Sequence, residues 1–99
     1  MSEKSWSEVL AEHSPELAAL SRADGEFLST DSALPAWVKL LMAMQLDALF
    51  SHPGGARHYG RRAREMGATE EQVVEAIQVL RIFAGRPAMV TAVEGLRDP

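Results

Sequence analysis

Residues 34–50 read Leu34-Pro35-Ala36-Trp37-Val38-Lys39-Leu40-Leu41-Met42-Ala43-Met44-Gln45-Leu46-Asp47-Ala48-Leu49-Phe50. After Pro35, which suits a first helical turn, the apolar residues Trp37, Val38, Leu40, Leu41, Met44, Leu46 and Leu49 fall on nearly every side of a helix. A helix apolar on most faces belongs at the centre of a domain or inside an oligomer. Lys39, Gln45 and Asp47 interrupt the run, whereas a membrane span needs ~20 mostly apolar residues without such charges. The stretch is therefore expected to be a buried core helix, and no membrane is expected as a partner.

On the N-terminal side, the pattern predicts a first helix from Ser5 to about Ala19, with Leu10, Leu17 and Leu20 on its buried side. Ser14-Pro15 is a place for a bend, because the residue before proline is pushed out of helical geometry. Asp24-Gly25 reads as a break and Ser29-Thr30-Asp31-Ser32 as a loop rich in capping residues.

On the C-terminal side, Ser51-His52-Pro53-Gly54-Gly55 interrupts the apolar pattern. A third helix follows, with Ala56, Tyr59, Ala63 and Met66 on one face and Gly67 as a left-handed stop. Thr69 and Gln72 form a capping-box signature that opens a fourth helix, its stripe Val73, Ile77 and Leu80. Gly85 ends it, and Pro87 starts a fifth with Met89 or Val90, Val93 and Leu96 inward. No segment alternates in the manner of a strand. The expected fold is all-α, a single domain of about five helices spanning residues 1–99.

Composition bounds the chemistry. A chain of 99 residues with 46% apolar content has the size and core of one domain, and it is short enough for self-association to be a natural way of burying more surface. The N-terminal run Met1-Ser2-Glu3-Lys4 has no basic-then-apolar signal pattern. With zero cysteines this points to the cytoplasm. The absence of cysteine excludes thiol and disulfide chemistry. The net charge of -4 argues against nucleic acid as the main partner. Charge is uneven, however: residues 1–31 hold seven acids against Lys4 and Arg22, while Arg57-His58-Tyr59-Gly60-Arg61-Arg62-Ala63-Arg64 holds four arginines and no acid. That cluster is either a solvated face balancing nearby acids or a receiver for an anionic ligand.

The order of pieces resembles the carboxymuconolactone decarboxylase and alkylhydroperoxidase-D-like family. The residues that carry the likeness are Leu34-Pro35, Arg61-Arg62-Ala63, Met66-Gly67-Ala68-Thr69-Glu70-Glu71 and Phe83-Ala84-Gly85-Arg86-Pro87-Ala88, spanning Leu34 to Leu96, with residues 5–30 compatible with the family's leading helix. The resemblance implies an all-helical protomer, assembly as a homotrimer or homohexamer, and a pocket near subunit contacts. It also implies one of two chemistries. The redox branch needs a glutamate on the core helix, Cys-x-x-Cys and a following histidine. With Gly67 as anchor, these positions read Lys39 or Leu40, His52 and Gly55, and Tyr59, so thiol peroxidase activity is excluded. The decarboxylase branch needs no cysteine but uses a histidine on the third helix. Tyr59 stands at that position, with His58 just before it. A one-residue shift in the Gly54-Gly55 turn exchanges the two, and one helical residue turns a side chain by ~100°.

The catalytic candidates are thus His58, an imidazole that titrates near neutrality, and Tyr59, whose phenol can donate to a developing enolate. Against these stand a surface histidine among arginines that lower its pKa and a core tyrosine. His52 is a candidate ligand contact. Arg57, Arg61 and Arg62 are candidates to clamp a carboxylate. Arg81 and Lys39, placed among apolar residues, need a partner in the fold or in a ligand; a buried ion pair involving Asp47 or another subunit is the plain alternative. His52 and His58 are six apart and no His-x-x-x-His occurs, so neither a metal nor a cofactor is expected. The reading that emerges is a lyase, decarboxylase or isomerase acting on a small carboxylated molecule. The competing reading is a catalytically degenerate oligomeric scaffold, whose pocket would be filled by Met42, Met44, Tyr59 or Met66. A nucleic-acid binder, the third possibility, predicts steep salt dependence.

Overall fold

Short polar side chains set where the helices begin. Ser5 accepts from the Glu8 amide (3.2 Å) and opens α1, Trp6–His13; Ser14 accepts from the Leu17 amide (3.2 Å) and opens α2, Pro15–Leu28. Asp31 Oδ1 accepts from the Ala36 amide (2.8 Å) at the start of α3, Ala36–Leu49. Helix α4 covers Pro53–Glu65, and the Thr69–Gln72 capping box, complete in both directions, opens α5, Glu70–Ala92. A short 3-10 turn, Val93–Leu96, closes the chain. These elements come from a computed structural model that describes residues 3–98, so Met1, Ser2 and Pro99 lie outside it. Among the described residues there is no strand, and the fold is all-α.

Helix ends follow the same local logic. Gly67, at φ 115°, lets the Ala68 amide reach the Ala63 carbonyl (2.9 Å) at the end of α4. The same motif ends α3, but with Ser51 in the left-handed position at φ 63° and the His52 amide on the Asp47 carbonyl (2.8 Å). Gly85 has φ 83° and ψ -174°, so it breaks helical geometry as expected; the two pieces then continue as one kinked element through Pro87.

Three expectations need correction. The leading segment is two helices divided at Ser14, because its hydroxyl caps the second one. Asp24-Gly25 does not break the chain: Gly25 lies inside α2. Leu17 and Leu20 are exposed and Leu10 is half-buried, while Ala18 is the buried residue of α2. The reason is that α1 and α2 pack chiefly on each other and touch the body lightly, so little of their surface enters the core.

The core lies between α3, α4 and α5. Leu40, Leu41, Met44 and Ala48 of α3 meet Ala56 and Ala63 of α4 and Val73, Ile77, Leu80, Ala88 and Ala92 of α5. Residues 70–96 have the length and apolar composition of a membrane span, yet they are kinked at Gly85 and supply five of these core residues. The tightest contact is between backbones. A Cβ on Gly60 of α4 would fall within 2.8 Å of the Gly95 carbonyl carbon, and one on Gly95 within 3.2 Å of the Ala56 carbonyl oxygen. Overpacking of this kind costs roughly 1–3 kcal/mol, and each kcal/mol moves the midpoint of a domain this size by about 4–8 °C. Thermal unfolding of Gly60→Ala is therefore expected to fall well below the parent. Gly25→Ala, with no atom within 4 Å of the new methyl, should instead stabilise by about 0.5–1 kcal/mol. A neutral Gly60→Ala would refute the backbone contact.

Candidate active site

The buried side of α4 is made of its smallest residues, Ala56, Gly60 and Ala63, spaced four and three apart. Packing that side against α3 and the C-terminal turn leaves the remaining residues to divide between two flanks. Arg57 donates to the Asp98 carbonyl (2.7 Å), and Arg64 donates to the Arg97 carbonyl (2.7 Å) and the Asp98 carboxylate (3.3 Å). This flank holds the C-terminal segment. The other flank, with His58, Tyr59 and Arg62, faces α1 and α2 across a cavity of about 600 Å³.

The cavity has an apolar body and a polar edge. Leu10, Ala18, Leu28 and Leu40 line the first, together with the half-buried Tyr59. Arg62 lies on the polar edge, donating to Glu65 (2.9 Å) and, with its other terminal nitrogen, to the Ser29 hydroxyl at 3.3 Å. That second bond is long and its acceptor is neutral, so a carboxylate is a better partner and can displace it. Arg22 and Asp24 of α2 also line the site.

His58 and Tyr59 stack edge to face, with ring centroids 4.9 Å apart and planes at 73°. Both line the cavity, so neither needs a shift of register to reach it: the space is wide enough to receive two adjacent helical side chains. Arg61 NH2 lies 3.4 Å from His58 Nδ1. A guanidinium can only donate, so Nδ1 accepts and the ring proton sits on Nε2. The His58 pKa is lowered from its ordinary 6.5, most by desolvation, then by Arg61 and Arg62, with Glu65 and Asp47 opposing. The arginines read from the sequence do lower it, but loss of water against the cavity wall is the larger cause. Among the described residues the Tyr59 hydroxyl has no protein hydrogen-bond partner.

The other candidates lie elsewhere. His52 is exposed and pairs with Asp47 (3.2 Å), whose carboxylate fits over Gly55 where a Cβ would collide with it. Arg57 serves the C-terminal segment. Arg61 is half-buried beside His58 and 3.6 Å from Glu65, not on the cavity lining. Arg81 is exposed and forms no hydrogen bond or ion pair among the described residues. Lys39 is buried, 5% exposed, with no carboxylate partner: it donates to the Phe27 carbonyl (2.5 Å) and the Ser32 hydroxyl (2.9 Å) and lies 4.0 Å from the Phe27 ring centre. Among the described residues no ion pair joins Lys39, Asp47 and Arg81. What sequence reading missed is the opposite wall, supplied by α1, α2 and Ser29. Its one signal was Arg22, one of two cations within seven acids.

Residues 15–98 match the Carboxymuconolactone decarboxylase family, and the chain belongs to that family. No curated protein and no solved structure matched. The matched region contains α2 to the C-terminal turn and begins just after α1.

In an NMR titration, His58 is expected to show a midpoint below 6.5. Its stability contribution runs in the matching direction: the unfolded chain takes up this proton more readily, so folding loses stability as pH falls below 6.5. Arg61→Gln should raise the midpoint without restoring the ordinary value, since desolvation remains. A midpoint at or above 6.5 in the parent would contradict the site as described.

Proposed function

We propose that this chain is a cysteine-free, decarboxylase-like lyase, or an isomerase using the same groups, acting on a small carboxylated molecule. The observation that carries the proposal is the convergence of His58, Tyr59 and Arg62 on one cavity. Ligand sites of this kind are concave, mostly apolar and equipped with a few placed polar groups. Arg62 holds a carboxylate in place of the Ser29 hydroxyl. In the decarboxylation reading, the bond from the carboxylate carbon to its neighbour breaks, carbon dioxide leaves, and the electron pair is delocalised onto an adjacent carbonyl as an enolate. The His58 Nε2–H donates a hydrogen bond to that oxyanion, and the Tyr59 hydroxyl delivers a proton to the carbon, to be replaced from water.

The competing reading, a degenerate scaffold without turnover, draws support from the position where the family's redox branch has its glutamate: it reads Lys39 or Leu40 here, the first occupied with bonds inside the fold and the second buried in the core. The cavity favours the enzyme. Met44 is fully buried in the core, Met42 and Met66 are exposed, and none of the three lines the space; Tyr59, the fourth residue that could fill it, lines it and leaves about 600 Å³ open. We place the protein in the cytosol, with neither nucleic acid nor membrane as a partner.

Assembly as a homotrimer or homohexamer belongs to the same proposal. Leu46 and Phe50 at the outer side of α3, and Ile82 and Phe83 on α5, are 55%, 65%, 63% and 86% exposed in the protomer. Apolar surface of that extent calls for a covering partner. Light scattering on a sizing column should give a mass several times that of the 10.8 kDa chain, and Phe83→Asp should reduce it. A monomeric parent would remove this part of the proposal.

A thermal-unfolding screen against carboxylated lactones, aromatic acids and dicarboxylates tests the main reading. A ligand at 100 times its dissociation constant adds ~2.7 kcal/mol, and turnover of the class that shifts the midpoint should collapse in the double variant His58→Gln/Tyr59→Phe. Retained turnover in that variant would discard the mechanism, and a flat screen moves the weight to the scaffold.

A further inference from the structure

Helix α1 stands apart from the rest of the molecule. It has no buried residue and packs chiefly on α2, and it precedes the family match, which starts at Pro15. Yet five of the sixteen residues lining the cavity come from it: Trp6, Ser7, Glu8, Leu10 and Ala11. Trp6 is 70% exposed while facing the cavity. An indole is a large apolar surface, and one left in water beside an apolar cavity gains by closing on a flat ligand.

From these observations we infer that α1 is the specificity-determining wall of the site and that Trp6 selects carboxylic acids with a flat, apolar body over short aliphatic acids. This rests on the reading of the cavity as a carboxylate site. The space of about 600 Å³ is in the middle of the range for ligands of drug size, so a two- or four-carbon acid held at Arg62 leaves most of it unfilled. A planar ring attached to that carboxylate occupies the apolar body between Leu10, Leu28, Leu40 and Tyr59 and reaches Trp6. The segment that joins α1 to α2 is a single residue, Ser14, in extended geometry (φ -150°, ψ 91°), so the wall is set by one capped turn and not by a packed core. A second copy of the chain is the other occupant that could cover the indole.

The test is calorimetric binding of cinnamate and of succinate to the full-length parent, Trp6→Ala, Trp6→Phe and Arg62→Gln, with the assembly mass of each recorded. Because Trp6 is exposed, its replacement leaves the core intact. Cinnamate affinity is expected to fall about five- to tenfold in Trp6→Ala, the scale of one aromatic contact, and to recover mostly in Trp6→Phe. Succinate should be indifferent to either change, and Arg62→Gln should weaken both acids. If Trp6→Ala leaves cinnamate unchanged while Arg62→Gln weakens both, the role of α1 is overturned and the carboxylate site stands. If Trp6→Ala lowers the assembly mass without changing cinnamate affinity, the indole belongs to a subunit contact and the inference fails. If neither acid binds the parent, or Arg62→Gln has no effect, the carboxylate reading falls and takes this inference with it.

Discussion

Two glycines in contact, Gly60 on α4 and Gly95 on the C-terminal turn, determine the rotation of α4, the helix that carries His58, Tyr59 and Arg62. A side chain at either position would collide with backbone or with Met44, so α4 can press this side, and no other, against its neighbours. Ala56 and Ala63 continue the same flat strip. Once it is buried, His58, Tyr59 and Arg62 must point to one flank and Arg57 and Arg64 to the other. A cluster of arginines that looks uniform in sequence is thereby divided: Arg57 and Arg64 hold the C-terminal segment, and Arg62 lines the cavity.

The opposite wall of the cavity is held by polar pins instead of packing. Lys39 is desolvated without a carboxylate, a costly arrangement unless its donors are used. Two of them go to Phe27 and Ser32, and the ammonium lies against the Phe27 ring. Asp31 caps α3 from the same connection, and Arg62 reaches Ser29. These contacts tie the end of α2 to α3 and α4 with little apolar burial, which leaves the α1–α2 pair free to present its inner face to the cavity. The same economy explains the exposed leucines of α2.

Membership in the carboxymuconolactone decarboxylase family accounts for the helical frame, and the lack of cysteine removes thiol chemistry from what that frame can do. The groups left on the cavity include an imidazole whose pKa is lowered by desolvation and two guanidiniums, and a phenol with no hydrogen-bond partner among the described residues. Lys39, a charged residue of the core helix, serves instead as a clasp between helices.

Much of the fold was legible in particular residues. Thr69 with Gln72, Gly67 and Gly85 act within one turn of themselves, so their effects on helix ends could be read directly, and the all-round apolar stretch 36–49 could only be central; Ser14-Pro15 was legible as a bend but not as the start of a separate helix. Gly25 misled because a glycine inside an exposed helix costs too little to break it. His58 and Tyr59 were candidates through what the family resemblance implies for this helix, and Arg62 through the run of arginines around them. The sequence by itself thus determined the helices, the core helix and the chemical groups available. Only the tertiary structure decided which flank of α4 meets α2, that Arg57 is spent on the C-terminal segment, and that Trp6 and His58 line one cavity. The contacts responsible join residues thirty or more positions apart, such as Arg62 and Ser29 or Arg57 and Asp98, and they depend on how whole helices pack, which no local pattern encodes.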